Sequence, residues 1–195
     1  MSFRIPQRWP RGGHWLAALV LAAALAGLPG HAAAADASVE YKVKGGYLYN
    51  FAKLVEWPTN SLPAPDSPFI IGVLDGGEAL TVFQALLAGK SVNGHPLQLQ
   101  AVTADRVGSG VHILFVPGAA GKSSAKIQAA LGGAATLLVG ESKDFAQGGG
   151  SLNFVMVEGS VKFEANPAAA ARAQLILGSQ LLKLALVVKD VRPAK

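Results

Sequence analysis

Three short apolar runs, FIIGVL (residues 69–74), VHILFV (111–116) and ATLLVG (135–140), constrain this chain more than any other feature. Each is a brief continuous run of the kind that suits a strand buried on both faces. The first leads through Asp75-Gly76-Gly77 into a helix-like segment ending near Ala88, which makes one βα unit. The second leads through a Gly-Lys-Ser turn into another helical pattern. Strands alternating with helices call for an α/β layer whose central strands are parallel.

The flanking sequence has other periods. In VEYKVKGGYLYNFAKLVEW (39–57), Val39, Val43, Tyr47, Leu54 and Trp57 recur at spacings of three, four or seven, so one helical stripe is expected to end at Pro58. SLPAPDSP (61–68) carries three prolines and reads as a loop. Asn93-Gly94 precedes the alternating Leu97, Leu99 and Ala101, a strand signal. SLNFVMVEGSVKFEAN (151–166) folds back at Glu158-Gly159 as an antiparallel hairpin. Pro167 opens a closing amphipathic helix marked by Ala173, Leu177, Leu181, Leu184 and Val188. The expected fold is a single-domain α/β sandwich with a central mixed, largely parallel sheet, a C-terminal β-hairpin and flanking helices.

The first thirty-five residues read as a signal peptide. Arg4, Arg8 and Arg11 precede the uncharged WLAALVLAAALAGLPG, and HAAAA supplies small residues for cleavage after Ala35. The Leu-Pro-Gly break and alanine run favour cleavage over the alternative of an uncleaved anchor. All twelve acidic residues but only fourteen of the seventeen basic ones lie beyond that point, so the mature formal charge falls from +5 to +2. No basic cluster interleaved with aromatics remains, which speaks against nucleic acid. Residues 36–195 are enough for one domain with a real core. Cysteine is absent, so neither disulfides nor thiolate metal sites contribute. Lys183 interrupts the C-terminal apolar stretch, and the mature protein is expected to be free of membrane insertion.

The Gly121-Lys122-Ser123 turn invites a phosphate-loop reading, but the motif needs a glycine where Val116 stands, and Gly118 leaves the loop two residues short. A strand-to-helix loop capped by Ser123 or Ser124 accounts for it. Only His95 and His112 survive processing, and neither a G-x-S-x-G elbow nor H-E-x-x-H is present. His95 reads as a turn residue and His112 as a strand-edge residue satisfied by backbone. Glu141 and Asp144, near a strand end, form either a carboxylate pair in the crevice where α/β proteins bind ligands or the acidic start of a helical turn. No catalytic residue, metal site or cofactor is assigned.

VKGGYLYNFAKLVEWP (43–58), GKSVNGHPLQLQ, HILFV, FAQGGGSLNFVMVEGSVKFEAN and LGSQLLKLALVV, in that order, resemble the YfiR-like family of exported bacterial proteins. The resemblance spans nearly the whole mature chain. It implies regulation: a periplasmic, dimer-forming α/β protein that binds the periplasmic sensor domain of an inner-membrane diguanylate cyclase and represses its cyclic-di-GMP output. Family members of this type can carry redox-sensing cysteine pairs; this chain has none. A periplasmic small-ligand receptor using the crevice near Gly76, Gly118 and Glu141, or an envelope protein of unknown partner, is the alternative. On the first helix, Asn50 shares the apolar stripe and is expected as a buried hydrogen-bonding node with Gln180, because an unpaired buried amide costs roughly 1–3 kcal/mol. Tyr49, Lys53 and Trp57 are the expected partner-binding residues, since aromatic and cationic side chains commonly anchor interfaces.

Overall fold

A computed structural model describes residues 30–62, 64, 66–108, 110–118 and 124–189, with side chains from residue 36. Most of the expected leader and the whole Gly121-Lys122-Ser123 turn lie outside the described residues. The chain divides into two units, Met1–Ala35 and Asp36–Lys195. Of the first, only the helical backbone from Gly30 is described, and the fold that follows is that of the second.

Helix α1 (Gly30–Leu54) runs into a short strand, β1 (Val55–Glu56), and a single 3₁₀ turn at Thr59–Ser61. Then come β2 (Phe69–Leu74), α2 (Gly77–Leu87), β3 (Ser91–Val92), β4 (His95–Val102) and β5 (Ile113–Val116). The order continues with α3 (Ser124–Ala130), β6 (Leu137–Gly140), β7 (Leu152–Val157), β8 (Ser160–Ala165) and α4 (Pro167–Arg172). Strand β9 (Ile176–Leu177), helix α5 (Ser179–Leu184) and strand β10 (Leu186–Val187) close it.

Eight strands form one sheet in the order β10-β8-β7-β6-β5-β2-β4-β3, and β1 pairs with β9 in a separate ribbon. The pairs β4/β2, β2/β5, β5/β6 and β6/β7 are parallel, as is β8/β10. The hairpins β3/β4 and β7/β8 are antiparallel. This is the expected mixed, mostly parallel α/β sheet with its C-terminal hairpin. Both hairpins turn on residues in the left-handed region, Asn93-Gly94 (φ 50° and 90°) and Glu158-Gly159 (φ 49° and 73°), which matches the twist of paired strands.

Alternation along the buried strands divides the core. Ile71, Val73, Ile113, Phe115, Leu137, Val139, Leu152 and Phe154 face one side with Leu48, Phe51, Phe83 and Leu87 of α1 and α2. Leu74, Val102, Leu114, Val116 and Leu138 face the other with Ile127, Leu131 and Phe145. Both faces of the central strands are covered, which is why FIIGVL and its companions show no polar alternation.

Two helical expectations need correction. The buried side of α1 carries Lys44, Gly45, Leu48, Phe51 and Ala52 with Tyr41 against it, whereas Val39 and Val43 are exposed. The helix has apolar residues on both sides, and the sheet takes the side bearing Leu48, Phe51 and Ala52. The single closing helix is instead two short helices interrupted by β9. Gln174 adopts φ 60°, and a side chain at Gly178 would sit 2.5 Å from the Leu54 carbonyl oxygen, so the chain turns there and pairs with β1. Ala173, Leu177 and Leu181 are still buried, while Leu184 is exposed. Pro167 does begin a helix, capped by the Asn166 side chain, which accepts from the Ala169 N–H.

Candidate functional site

In open α/β sheets the natural ligand crevice lies beyond the carboxyl ends of the strands, where the strand order reverses. From β2 the chain crosses to β4 on one side and then returns to β5 on the other, so the reversal falls between β2 and β5. The chain leaves these strands at Asp75-Gly76 and Pro117-Gly118.

Side chains from α1 and β6 meet at this end of the sheet. Glu141 follows the last residue of β6 and turns inward. Its Oε1 accepts from the Tyr41 hydroxyl (3.2 Å) and the Gly118 N–H (2.8 Å), and its Oε2 accepts from Lys44 Nζ. Lys44 is only 4% exposed and also pairs with Glu40, one helical turn earlier. The ammonium lies 5.3 Å from the Tyr41 ring centroid and 5.8 Å from that of Phe154. Tyr41 packs edge-on against Phe83 and Phe115. Burial, and then the charge of Glu141 beside it, push the Tyr41 phenol up to about 12. The hydroxyl therefore stays protonated and donates throughout the physiological range.

This arrangement fills the crevice with the chain's own groups. Lys44 supplies the cation that Glu141 would otherwise seek from a ligand, and the Tyr41 hydroxyl and Gly118 N–H satisfy Oε1. Asp144 does not join Glu141: it is exposed, with φ 58°, and accepts the Gly148 N–H through its carbonyl. Beside the cluster is a cavity of about 330 Å³ lined by Glu141, Asp144, Asn153, Phe154, Met156 and Glu164. Glu164 accepts from the Asn153 and Gln147 amides (3.1 Å each), which fixes the Asn153 amide orientation, and buried Asn153 Oδ1 has no partner among the described residues.

The two histidines lie toward the opposite end. His112 immediately precedes β5 and is buried. Its Nδ1 accepts from the Ile70 N–H (3.0 Å), which leaves the proton on Nε2 to donate to the Ser61 carbonyl (2.9 Å). The ring stacks on Phe69 at 4.6 Å. Burial lowers its pKa, so the neutral ring is the resident form. His112 is satisfied by backbone, as its sequence position suggested. His95 Nδ1 lies 2.9 Å from the Ser67 carbonyl. Among the described residues no three His, Asp or Glu side chains are placed to hold a metal.

The expected interface residues separate. The Tyr49 hydroxyl donates to the Ser91 carbonyl (3.1 Å), and the ammonium groups of Lys53 and Lys90 lie 5.3 Å and 5.5 Å from its ring. Trp57 belongs elsewhere: its Nε1 donates to the Ala52 carbonyl (3.0 Å), and its ring meets Phe69 edge-on at 5.1 Å. Asn50 and Gln180 are both exposed, so the buried amide node expected from the sequence is not formed. Asn50 lies on the Val39–Val43 side of α1, the side the sheet leaves to solvent. Sequence reasoning missed Tyr41 and Lys44. A detectable signal was the i,i+4 spacing of Glu40 and Lys44.

A family model described as YfiR/HmsC-like matches residues 41–186. No curated protein matches the chain.

Proposed function

The chain belongs to the YfiR/HmsC-like family, and from that premise we propose that it is a periplasmic regulatory protein that represses an inner-membrane diguanylate cyclase. On this reading residues 1–35 are a signal peptide removed after Ala35, and residues 36–195 bind the periplasmic sensor domain of the cyclase as a homodimer. Cyclic-di-GMP output, which controls biofilm and motility, would then fall.

The family match carries the proposal. It begins at residue 41, downstream of the proposed leader. No described helix is long and apolar enough to cross a membrane. The crevice that a catalytic α/β protein would offer to substrate is occupied by Tyr41 and Lys44. Repression needs no reaction: a protein that binds the inactive cyclase more tightly than the active one shifts the population by its difference in affinity. Tyr49 and Lys53 are the proposed contact residues, and Trp57 supports them by packing the end of α1 against Phe69. The test is deletion of the gene in its own host, with cyclic-di-GMP measured by mass spectrometry. Repression predicts a rise that is reversed by the wild-type gene; an unchanged level refutes it.

The unpartnered Asn153 Oδ1 beside the 330 Å³ cavity favours a second reading, a small-ligand receptor whose ligand donates a hydrogen bond there. That reading requires a compound that raises the melting temperature of the wild type and not of an Asn153→Leu variant.

A further inference from the structure

Helix α1 sorts its charges by side. Glu40 and Lys44 turn toward Glu141 over the strand ends. Lys42, Tyr49 and Lys53 stand at i, i+7 and i+11, positions that return to within about 20° of one direction at 3.6 residues per turn. They therefore share the side of α1 next to α2. There Ser38 and Lys42 of α1 and Thr81, Val82, Ala85 and Leu86 of α2 enclose a groove of about 370 Å³. Its floor is apolar, and Leu86 is 37% exposed within it. Gly45 sets the depth, because a Cβ at that position would sit 2.9 Å from Leu86 Cδ2 and 3.0 Å from Phe83 Cδ1.

Basic charge is concentrated at one end. Lys90 follows α2 and, with Lys53, brings a second ammonium to the Tyr49 ring. No ion pair of Lys42, Lys53 or Lys90 with a carboxylate is found among the described residues. Glu78, in the first turn of α2 and exposed, places an acid beyond the other end. The field along the groove thus has a direction, from basic at Lys90 to acidic at Glu78.

We infer that this groove docks an acidic amphipathic segment of the membrane partner, with apolar side chains on Val82, Ala85 and Leu86 and carboxylates over Lys42, Lys53 and Lys90. The inference rests on the proposed function as a protein-binding repressor. Eleven residues of helix separate Lys42 from Lys53, about 16 Å, so the segment carries acidic residues roughly three helical turns apart. The charge supplies approach and orientation and the apolar floor supplies residence, the usual division at such interfaces. The apolar floor between α1 and α2 suits inserted side chains better than the headgroup plane of an anionic bilayer.

The test uses purified periplasmic domains of the host's inner-membrane cyclases, and vesicles of phosphatidylglycerol and phosphatidylethanolamine, with residues 36–195 immobilised. The wild type should bind one cyclase domain, more weakly as salt rises. The triple variant Lys42→Glu, Lys53→Glu, Lys90→Glu should lose roughly 30-fold or more in affinity with an unchanged melting temperature, while the matching Lys→Arg triple variant binds as the wild type. Ala85→Glu should weaken binding as well. Charge-reversal affinity within about threefold of the wild type, with binding otherwise intact, overturns the inference and leaves the repressor reading standing. Wild-type binding to vesicles but to no cyclase domain overturns it in favour of a lipid surface. No wild-type binding to any cyclase domain, with cyclic-di-GMP unchanged on deletion, overturns both.

Discussion

Replacing Lys44 by methionine keeps an unbranched stem of similar length and removes the ammonium from beneath Glu141. The two side chains are 5% and 11% exposed, so the carboxylate left behind cannot recover its hydration without opening the helix–sheet contact. Breaking a buried pair by removing one partner costs about 3–5 kcal/mol. Glu141 retains the Tyr41 hydroxyl and the Gly118 N–H, which places Lys44→Met near the lower figure, about 3 kcal/mol. For a domain of this size each kcal/mol shifts the melting temperature by about 2–4 °C, so a fall of about 6–12 °C is expected. Urea unfolding of residues 36–195 reads this directly, because Trp57 is the only tryptophan in that span and its fluorescence reports on the Phe69 contact. Glu141→Gln keeps an oxygen for Tyr41 and Gly118 but turns an amide N–H toward Lys44. In Lys44→Met/Glu141→Gln both charges are gone, and the double variant should lie within about 1 kcal/mol of the wild type. A loss below about 1 kcal/mol for Lys44→Met, or a double variant as unstable as the sum of the singles, would refute the view that the pair is buried and coupled.

The lowered pKa of His112 makes stability depend on acid. The unfolded ring takes its proton near pH 6.5 and the folded ring only below that, so the contribution is complete above about 6.5 and is lost as pH falls toward the folded value. His112→Gln should flatten this limb of the stability–pH curve, and an unchanged slope would remove His112 as its source. Gly72→Ala should destabilise by about 1–3 kcal/mol in the same urea assay, since its Cβ would stand 2.6 Å from Val102 Cγ2 and 3.0 Å from Val111 Cγ1. Asn50→Ala and Gln180→Ala, at exposed positions, should each stay within about 0.5 kcal/mol of the wild type; a loss of 2 kcal/mol or more in either would restore the buried-node reading.

The strands were the most legible part of the chain. FIIGVL and VHILFV lack alternation because parallel strands in mid-sheet are covered on both faces, and Asn93-Gly94 and Glu158-Gly159 mark turns because few other pairs accept two left-handed residues. The side of α1 that meets the sheet was not legible. Val39 and Val43 form as regular a stripe as Leu48, Phe51 and Ala52, and periodicity alone cannot say which of two apolar sides is buried. Asn50 was assigned inward by that ambiguity, and the interface residues Tyr49, Lys53 and Trp57 were grouped though Trp57 lies past the helix end.

Local sequence therefore determined the α/β class, the hairpins, the helix start at Pro167 and the resemblance to the YfiR/HmsC-like family, because those depend on propensity, period and motif within a few turns of chain. Tertiary structure alone decided that Glu141 meets Lys44 and Tyr41 from about a hundred residues away. It also broke the closing helix at Gly178 to pair β9 with β1, set Lys42 in the groove between α1 and α2, and brought Lys53 and Lys90 to the Tyr49 ring. Those contacts join positions remote in sequence, and their energies come from burial and charge pairing that exist only once the sheet is assembled.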